Sequence, residues 1–184
     1  MFVTHDQAEA MTLADRLAVL SHGRLLQFDT PQKIMSDPAD QYVASFVGSP
    51  EMVFLEGTVV AREGALAFVD GPVQLPVQGL GGPGRITIGI RPWDVSVRRD
   101  PRDGGMPARV TAVERLGSSD QLFLDLMPPP GERGVPIVML RALARAYDYT
   151  VGDAAFVQLD AERALFFDVR GERLESVTAS NRPP

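Results

Sequence analysis

His5 lies where the sequence changes from a short apolar pair, Phe2-Val3, to an amphipathic stretch that begins at Asp6. This order predicts a buried strand, a polar turn and a helix. The carboxyl ends of strands in α/β sheets face the ligand crevice, so an imidazole placed there can serve catalysis or sense a phosphate. Position alone favours a simpler interpretation, in which His5 fills the turn or caps the helix, because one histidine carries little information.

His5, Asp6 and Glu9 also form a candidate metal cluster, since residues three or four apart share a helical face. Such a site needs a further imidazole or carboxylate, and His22 is the only other histidine in the chain. The helix dipole already explains acidic residues in a first helical turn. We therefore expect no metal site in this chain.

Three other features have the composition of binding sites, but each has a simpler structural explanation. The glycine-rich stretch 79–85 lacks the Lys-Ser/Thr of a phosphate-binding loop and precedes a strand, which predicts a hairpin connection. Trp93 is either an interface or ligand-stacking aromatic or, as is more usual, a partly buried barrel residue. Arg98, Arg99 and Arg102 alternate with acidic residues, which indicates a solvated loop.

Composition excludes several function classes. The chain has 184 residues, of which 45% are hydrophobic, so it can bury a core. Its net charge of −6 disfavours nucleic-acid or anionic-membrane surfaces, and cysteine is absent, which excludes disulfides and thiolate metal sites. No apolar run is long enough to span a bilayer, which favours a cytoplasmic protein.

The first fifty residues predict a small α/β unit. Thr4 with Gln7, or Asp6 with Glu9, fits a capping box for the first helix. The stretch "RLAVLSHGRLLQFD" predicts a hairpin with its turn at His22-Gly23. Thr30-Pro31 and Asp37-Pro38 each predict a helix start. The second of these helices is expected to place Tyr42, Val43, Phe46 and Val47 on one apolar face and to stop at Gly48.

From Met52 onward the pattern changes to about ten short strands separated by turns, which predicts all-β barrels. A polar break near residues 100–107 divides the strands into two groups of about five, the strand count of an OB-type barrel. We predict a mainly β fold, with OB-like barrels preceded by a small α/β piece.

The order of several motifs resembles one known family. The stretch "VTHDQAEAMTLADR" is followed by a hairpin with "GR", then "TP", "DPA", "FVGSP" and "FLEG". This order resembles the end of an ATP-binding-cassette (ABC) importer ATPase of the maltose, polyamine and glycerol-3-phosphate uptake type. The stretches "GIRPWDV", "VERLGSSDQLFLDL" and "VGDAAFVQLDAERALFFDVRGERL" are similar to the OB-like regulatory (TOBE) domain appended to these ATPases.

The resemblance implies that residues 1–49 are the C-terminal end of the ATPase domain. It implies that residues 50–184 are a TOBE domain of two small barrels. It also implies that His5 is the switch-loop histidine, which contacts the γ-phosphate of ATP in the complete enzyme. The parent enzyme would use ATP and magnesium, form a homodimer and bind membrane-embedded permease subunits. It would lie at the inner face of the cell membrane without inserting into it.

The departures from the family pattern bear on activity. The motif G-x-x-x-x-G-K-[ST], the signature motif and the strand carrying the magnesium aspartate and catalytic glutamate are all missing from these residues. Phosphoryl transfer depends on positioning by those parts together. A chain limited to these residues is therefore expected to bind no cofactor and not to hydrolyse ATP. Trp93 stands where the family often has an acidic residue.

Two functions remain open. The first is the C-terminal, regulatory part of an importer ATPase for sugars or related small solutes. The second is an OB-type module that binds a small oxyanion or sugar by itself. The strand edge at Phe2-Val3 further predicts that the first ~20 residues are either poorly ordered or packed against a second copy.

Overall fold

The computed structural model describes residues 3–4, 6–103, 105–117, 119–128, 134–142 and 148–180. Helix α1 (Gln7–Leu13) begins at Asp6, whose side chain accepts the Glu9 backbone N–H at 3.0 Å. The Asp6–Glu9 capping register is therefore the one that forms. The predicted buried strand at Phe2-Val3 is wrong at Val3, which lies in no strand and is exposed because no described strand pairs with it; Phe2 lies outside the described residues.

Strands β1 (Leu17–Ser21) and β2 (Arg24–Asp29) form the predicted antiparallel hairpin. Its turn places His22 at φ 47° and Gly23 at φ 75°. A two-residue turn of this kind needs positive φ at both positions, and glycine adopts it without steric cost. The hairpin prediction is confirmed.

Helix α2 (Pro31–Ser36) begins as predicted after Thr30, which accepts the Lys33 N–H. The predicted helix start at Asp37-Pro38 is wrong. Helix α3 (Gln41–Phe46) begins after Asp40, whose carboxylate accepts the Val43 N–H at 2.7 Å. Asp37 instead ends α2, because its N–H bonds the Lys33 carbonyl.

The apolar face predicted for α3 is only half correct. Val43, Ala44 and Val47 are buried, whereas Tyr42 and Phe46 remain exposed and stack on each other with ring centroids 6.5 Å apart. Tyr42 and Phe46 form one i,i+4 row on the helix surface, and Val43 and Val47 form the neighbouring row. In so short a helix only the second row faces the core.

The ten predicted β strands after Met52 are all present, and one short strand follows them. They are β3 (Val53–Arg62), β4 (Ala65–Asp70), β5 (Val73–Gln78), β6 (Gly84–Ile90), β7 (Val95–Arg98), β8 (Met106–Arg115), β9 (Ser119–Leu126), β10 (Val135–Ala142), β11 (Ala154–Leu159), β12 (Leu165–Phe167) and β13 (Thr178–Ala179). One sheet has the order β12-β6-β3-β4-β5-β13, and the other has the order β10-β9-β8-β11-β7.

The strands do not divide at residues 100–107 as their order in the chain suggests. Strand β7 crosses to the second sheet and pairs with β11, while β12 returns to the first sheet and pairs with β6. The predicted hairpin at residues 79–85 is also wrong, because β5 and β6 are not neighbours in the sheet. Local patterns predict strands, whereas pairing depends on side-chain packing between distant segments.

One hydrophobic core joins both sheets, with Leu55, Val59 and Phe68 from the first and Leu122, Leu124 and Val157 from the second. Two smaller clusters cover the helical segment. Val19, Ile34, Val43 and Val47 pack the hairpin against α2 and α3, and Ala44, Met52 and Phe167 join α3 to the first sheet.

Gly57 in β3 is closely packed against a neighbouring strand of the first sheet. A methyl group at this position would lie 2.4 Å from the Phe68 ring and 2.5 Å from the Val69 carbonyl oxygen. We expect Gly57→Ala to lower the free energy of unfolding by about 1–3 kcal/mol through overpacking. Urea denaturation measures the change.

The matched control is Gly81→Ala, since a methyl group on Gly81 would meet no atom within 4 Å. Its effect should stay within about 0.5 kcal/mol. Equal urea midpoints for the two variants would show that the Phe68 ring moves away without cost.

Candidate functional site at the Arg91 junction

His5, the only catalytic residue predicted from the sequence, lies outside the described residues. Its neighbours are used in capping: Asp6 holds the Glu9 N–H, and the Glu9 carboxylate accepts the Thr4 hydroxyl at 2.9 Å. His22 lies in the exposed hairpin turn beside the Ser21 hydroxyl. Within the described ranges, no three His, Cys, Asp or Glu side chains come together as metal ligands.

Arg91 is the most deeply buried cationic side chain of the described residues, with 5% of its surface exposed. It directly follows β6, whose residues Ile86, Ile88 and Ile90 are buried in the core. Pro92 comes next and holds Arg91 in an extended conformation, with φ −74° and ψ 142°. The strand end and the proline together direct the arginine towards the helical segment.

The Arg91 guanidinium donates to carbonyl oxygens at the ends of two helices. Its Nη1 bonds the carbonyls of Ala44 in α3 and of Val47 directly after α3, and its Nη2 bonds the Met35 carbonyl of α2 at 3.1 Å. The last carbonyls of a helix have no partner within the helix and carry partial negative charge. One cation therefore satisfies the carboxyl ends of both α2 and α3.

Burial lowers the pKa of Arg91 to about 10, and the nearby Asp94 carboxylate opposes this shift. The guanidinium stays protonated at neutral pH because this value is well above 7. A buried charge is tolerated only when hydrogen bonds replace its lost hydration. The three helix-end carbonyls provide that replacement at Nη1 and Nη2, whereas the buried Nε has no hydrogen-bond partner among the described residues.

A second set of contacts holds the amino end of α3. The Gln41 N–H donates to the Gly171 carbonyl at 2.8 Å, and Asp40 forms a β-bridge with Glu172. Helix α3 is therefore bound at both ends to the part of the chain that follows residue 50. Gly48, at φ 106°, is required beside it, because a methyl group there would lie 2.9 Å from Arg91 Nη1.

Trp93 and Asp94 continue the junction on a short 3₁₀ turn (Pro92–Asp94). Trp93 is 42% exposed, and the Arg91 guanidinium lies 5.8 Å from the centre of its ring. The mostly buried Asp94 carboxylate bonds Arg163 at 3.3 Å. Burial raises the pKa of Asp94, and Asp160 adds to this effect while Arg163 opposes it.

Two grooves lie between the sheets of the β part. The larger, of about 930 Å³, is here named the Gln74 groove and is lined by Arg62, Glu63, Leu66, Gln74, Met106 and Gln158, among others. The smaller, of about 680 Å³, is named the Arg85 groove and includes Phe54, Glu56, Asp70 and Arg85.

The arginines at residues 98–102 form no shared site. Arg99 bonds the Asp153 carboxylate at 3.0 Å and lies over the Tyr149 ring, and Arg102 pairs with Asp100. These contacts hold loops of the second sheet in place. The three arginine side chains are exposed, which confirms the predicted solvated loop.

Sequence reasoning missed the role of Arg91. A signal was present, since an arginine that stands between a run of buried isoleucines and a proline cannot easily reach solvent. The acceptors could not be read from the sequence, because Met35, Ala44 and Val47 contribute only backbone atoms.

These features define an OB-like β domain that is joined through a buried arginine to a short helical segment. Residues 88–167 match the family model described as "TOBE domain". The chain therefore carries a TOBE domain, and along most of its length it is similar to ATP-binding proteins of ABC importers. This confirms the family that the motifs indicated.

Two curated relatives illustrate the similarity. The "sn-glycerol-3-phosphate import ATP-binding protein UgpC" of Rhizobium meliloti is 38% identical over 178 residues, which cover 95% of this chain and 46% of the relative. The "Uncharacterized ABC transporter ATP-binding protein y4oS" of Sinorhizobium fredii is 42% identical over 127 residues, which cover 67% of this chain and 33% of the relative. The chain thus spans about half, or less, of the length of these relatives.

The fold is also similar to that of a solved structure of the cytoplasmic molybdate-binding protein ModG. The TM-score is 0.50 at 17% sequence identity, and the match covers 62% of this chain and 94% of that one. This similarity confirms the predicted mainly β, OB-like fold class. None of the helices in the described part of the chain is long and apolar enough to cross a bilayer.

The Arg91 contacts generate a prediction about stability. Arg91→Met keeps much of the side-chain volume but removes the guanidinium N–H donors. Three helix-end carbonyls then lose their hydrogen-bond partner. We expect the free energy of unfolding to fall by at least about 2 kcal/mol. Trp93 is the only tryptophan, and its emission should change when the cation beside its ring is lost.

Arg102→Met is the matched control, because Arg102 is exposed and its guanidinium pairs with the nearby Asp100. Urea denaturation followed by tryptophan emission compares the two variants. A similar loss in both would mean that the Arg91 hydrogen bonds add nothing to stability.

The raised pKa of Asp94 predicts a pH dependence. The folded state holds the proton of Asp94 more tightly than the unfolded state does, so the ionised carboxylate costs stability above its pKa, and this cost disappears as the pH falls. Asp94→Asn cannot ionise. Its stability relative to the unmodified protein should therefore be higher at about pH 7 than at about pH 3.

Urea midpoints at both pH values measure this difference. An opposite trend, with the variant gaining relative stability in acid, would show that the Arg163 ion pair outweighs the burial of Asp94.

Proposed function

We propose that this chain is the C-terminal, regulatory part of the ATP-hydrolysing subunit of an ABC importer for glycerol-3-phosphate, sugars or related small solutes. The observation that carries the proposal is the Arg91 junction. It binds the segment similar to the end of the ATPase domain to the TOBE-bearing β part through buried hydrogen bonds. A relative that matches 95% of this chain, though only 46% of the relative's own length is matched, is a glycerol-3-phosphate import protein.

In this proposal residues 1–49 belong to the ATPase domain and residues 50–184 to the regulatory domain. Since Arg91 and Gly171 contact α3 from the other side of that boundary, the two parts move together at α3. The parent subunit works as a homodimer at the inner face of the cell membrane, against permease subunits. ATP and magnesium bind to the rest of that subunit.

His5 is the switch histidine of the complete enzyme. In that role its imidazole hydrogen-bonds the γ-phosphate and helps to hold the attacking water in position. The bonds of Thr4, Asp6 and Glu9 set the start of α1 directly after it. This cap gives the residues on either side of His5 a defined backbone path.

A chimera tests the proposal. The C-terminal part of the Rhizobium meliloti UgpC protein that aligns with this chain is replaced by this chain, and magnesium-dependent phosphate release is measured. We expect the chimera to hydrolyse ATP. His5→Ala should lower its turnover about a hundredfold by removing a transition-state contact.

His22→Ala is the control, because His22 lies in an exposed turn and should leave turnover unchanged. The chain alone should release no phosphate above background. An equal effect of the two histidine substitutions, or hydrolysis by the chain alone, would contradict the proposal.

A second candidate function is a module that binds a small oxyanion or sugar without the ATPase. The two grooves between the sheets favour it, together with the fold shared with a molybdate-binding protein. Grooves between sheets of small barrels are a frequent place for small ligands.

A further inference from the structure

The Gln74 groove combines an apolar wall with polar groups at its rim. The lining includes Ala65, Ala67 and Pro76, which the strand register places on the same face of the first sheet as Arg62 and Gln74. Leu66, from the opposite face of β4, and Met106, from the second sheet, also line it. Ligand pockets generally have this composition, in which a few polar groups orient a molecule on an apolar surface. The volume of about 930 Å³ is within the range of small-molecule sites.

Two polar side chains of the Gln74 groove, those of Arg62 and Gln74, hold each other in place. Arg62 Nη1 donates to Gln74 Oε1 at 2.9 Å, across β4, which lies between β3 and β5 in the sheet. This bond uses the amide oxygen, so the Gln74 NH₂ group and the other guanidinium N–H groups remain as donors for a ligand. Glu63, in the β3–β4 turn at φ 49°, adds a carboxylate acceptor beside them.

The charges around the grooves discriminate between ligand classes. Arg62 and Glu63 carry opposite charges, so the rim of the Gln74 groove is close to neutral. In the Arg85 groove, Glu56 and Asp70 outnumber the single arginine. An oxyanion needs a cationic site or several converging N–H donors, and a neighbouring carboxylate repels it. Both grooves therefore disfavour oxyanions.

We propose that the Gln74 groove binds a neutral polyhydroxylated molecule of the size of a mono- or disaccharide. Hydroxyl groups both donate and accept hydrogen bonds, so they match a rim that holds amide and guanidinium donors beside a carboxylate acceptor. The C–H faces of a sugar ring pack on Ala65, Ala67 and Pro76, which share a face of the sheet with Gln74. This inference rests on the small-ligand module proposed above, and it names the groove and the ligand class.

The test is isothermal titration calorimetry of the full chain with glucose and maltose, and separately with molybdate and sulfate. We expect at least one of the two sugars to bind with a Kd of about millimolar or tighter and the oxyanions to show no heat of binding. Gln74→Leu removes both polar atoms of the amide at nearly constant size. Ala67→Leu fills the groove without removing any polar group.

Both variants should weaken sugar binding by about tenfold or more. Arg85→Gln, in the other groove, is the control and should bind as the unmodified chain does. Circular dichroism checks that each variant is folded, and the two independent variants keep the test decisive if one fails to fold.

Each contrary outcome has its own meaning. Sugar binding that neither variant weakens would overturn the assignment to this groove and leave the small-ligand module standing. Binding of molybdate or sulfate alone would overturn the ligand class. No binding of any of the four compounds would overturn both this inference and the second candidate function.

Discussion

The guanidinium of Arg91 has to be satisfied without water, and this requirement organises the junction around it. Three carbonyls at the ends of α2 and α3 supply the acceptors, so both helices must end at the surface of the first sheet. Pro92 limits the backbone from which the arginine extends, and Gly48 leaves room for its tip. A change in the position of either helix would leave a buried charge and buried carbonyls unpaired.

The exchange of strands between the two sheets has a related effect. Strand β7 leaves the first group to pair with β11, and β12 returns to pair with β6. Neither sheet can therefore form completely before distant parts of the chain meet, which raises the fraction of long-range contacts. Since β12 carries Phe167, which packs on Ala44 and Met52, the returning strand also completes the surface on which α3 lies.

The junction and the Gln74 groove occupy different parts of the β domain. The junction uses the end of β6 and the turn after β12, whereas the Gln74 groove uses β4, β5 and the beginning of β8. The same first sheet thus contributes to both. A molecule in the groove and the helical segment would each contact strands of one hydrogen-bonded sheet.

The sequence by itself determined the local elements and the family. Apolar alternation located ten strands, His22-Gly23 located the hairpin turn, and ordered motifs identified an importer ATPase end with a TOBE domain, because these signals depend only on neighbouring residues. It misplaced the start of α3, since Asp37 and Asp40 are both good caps and the Gly171 carbonyl favours the second. Only the tertiary structure decided the sheet order and the acceptors of Arg91, because pairing between distant strands and bonds to backbone carbonyls leave no residue pattern that a sequence can show.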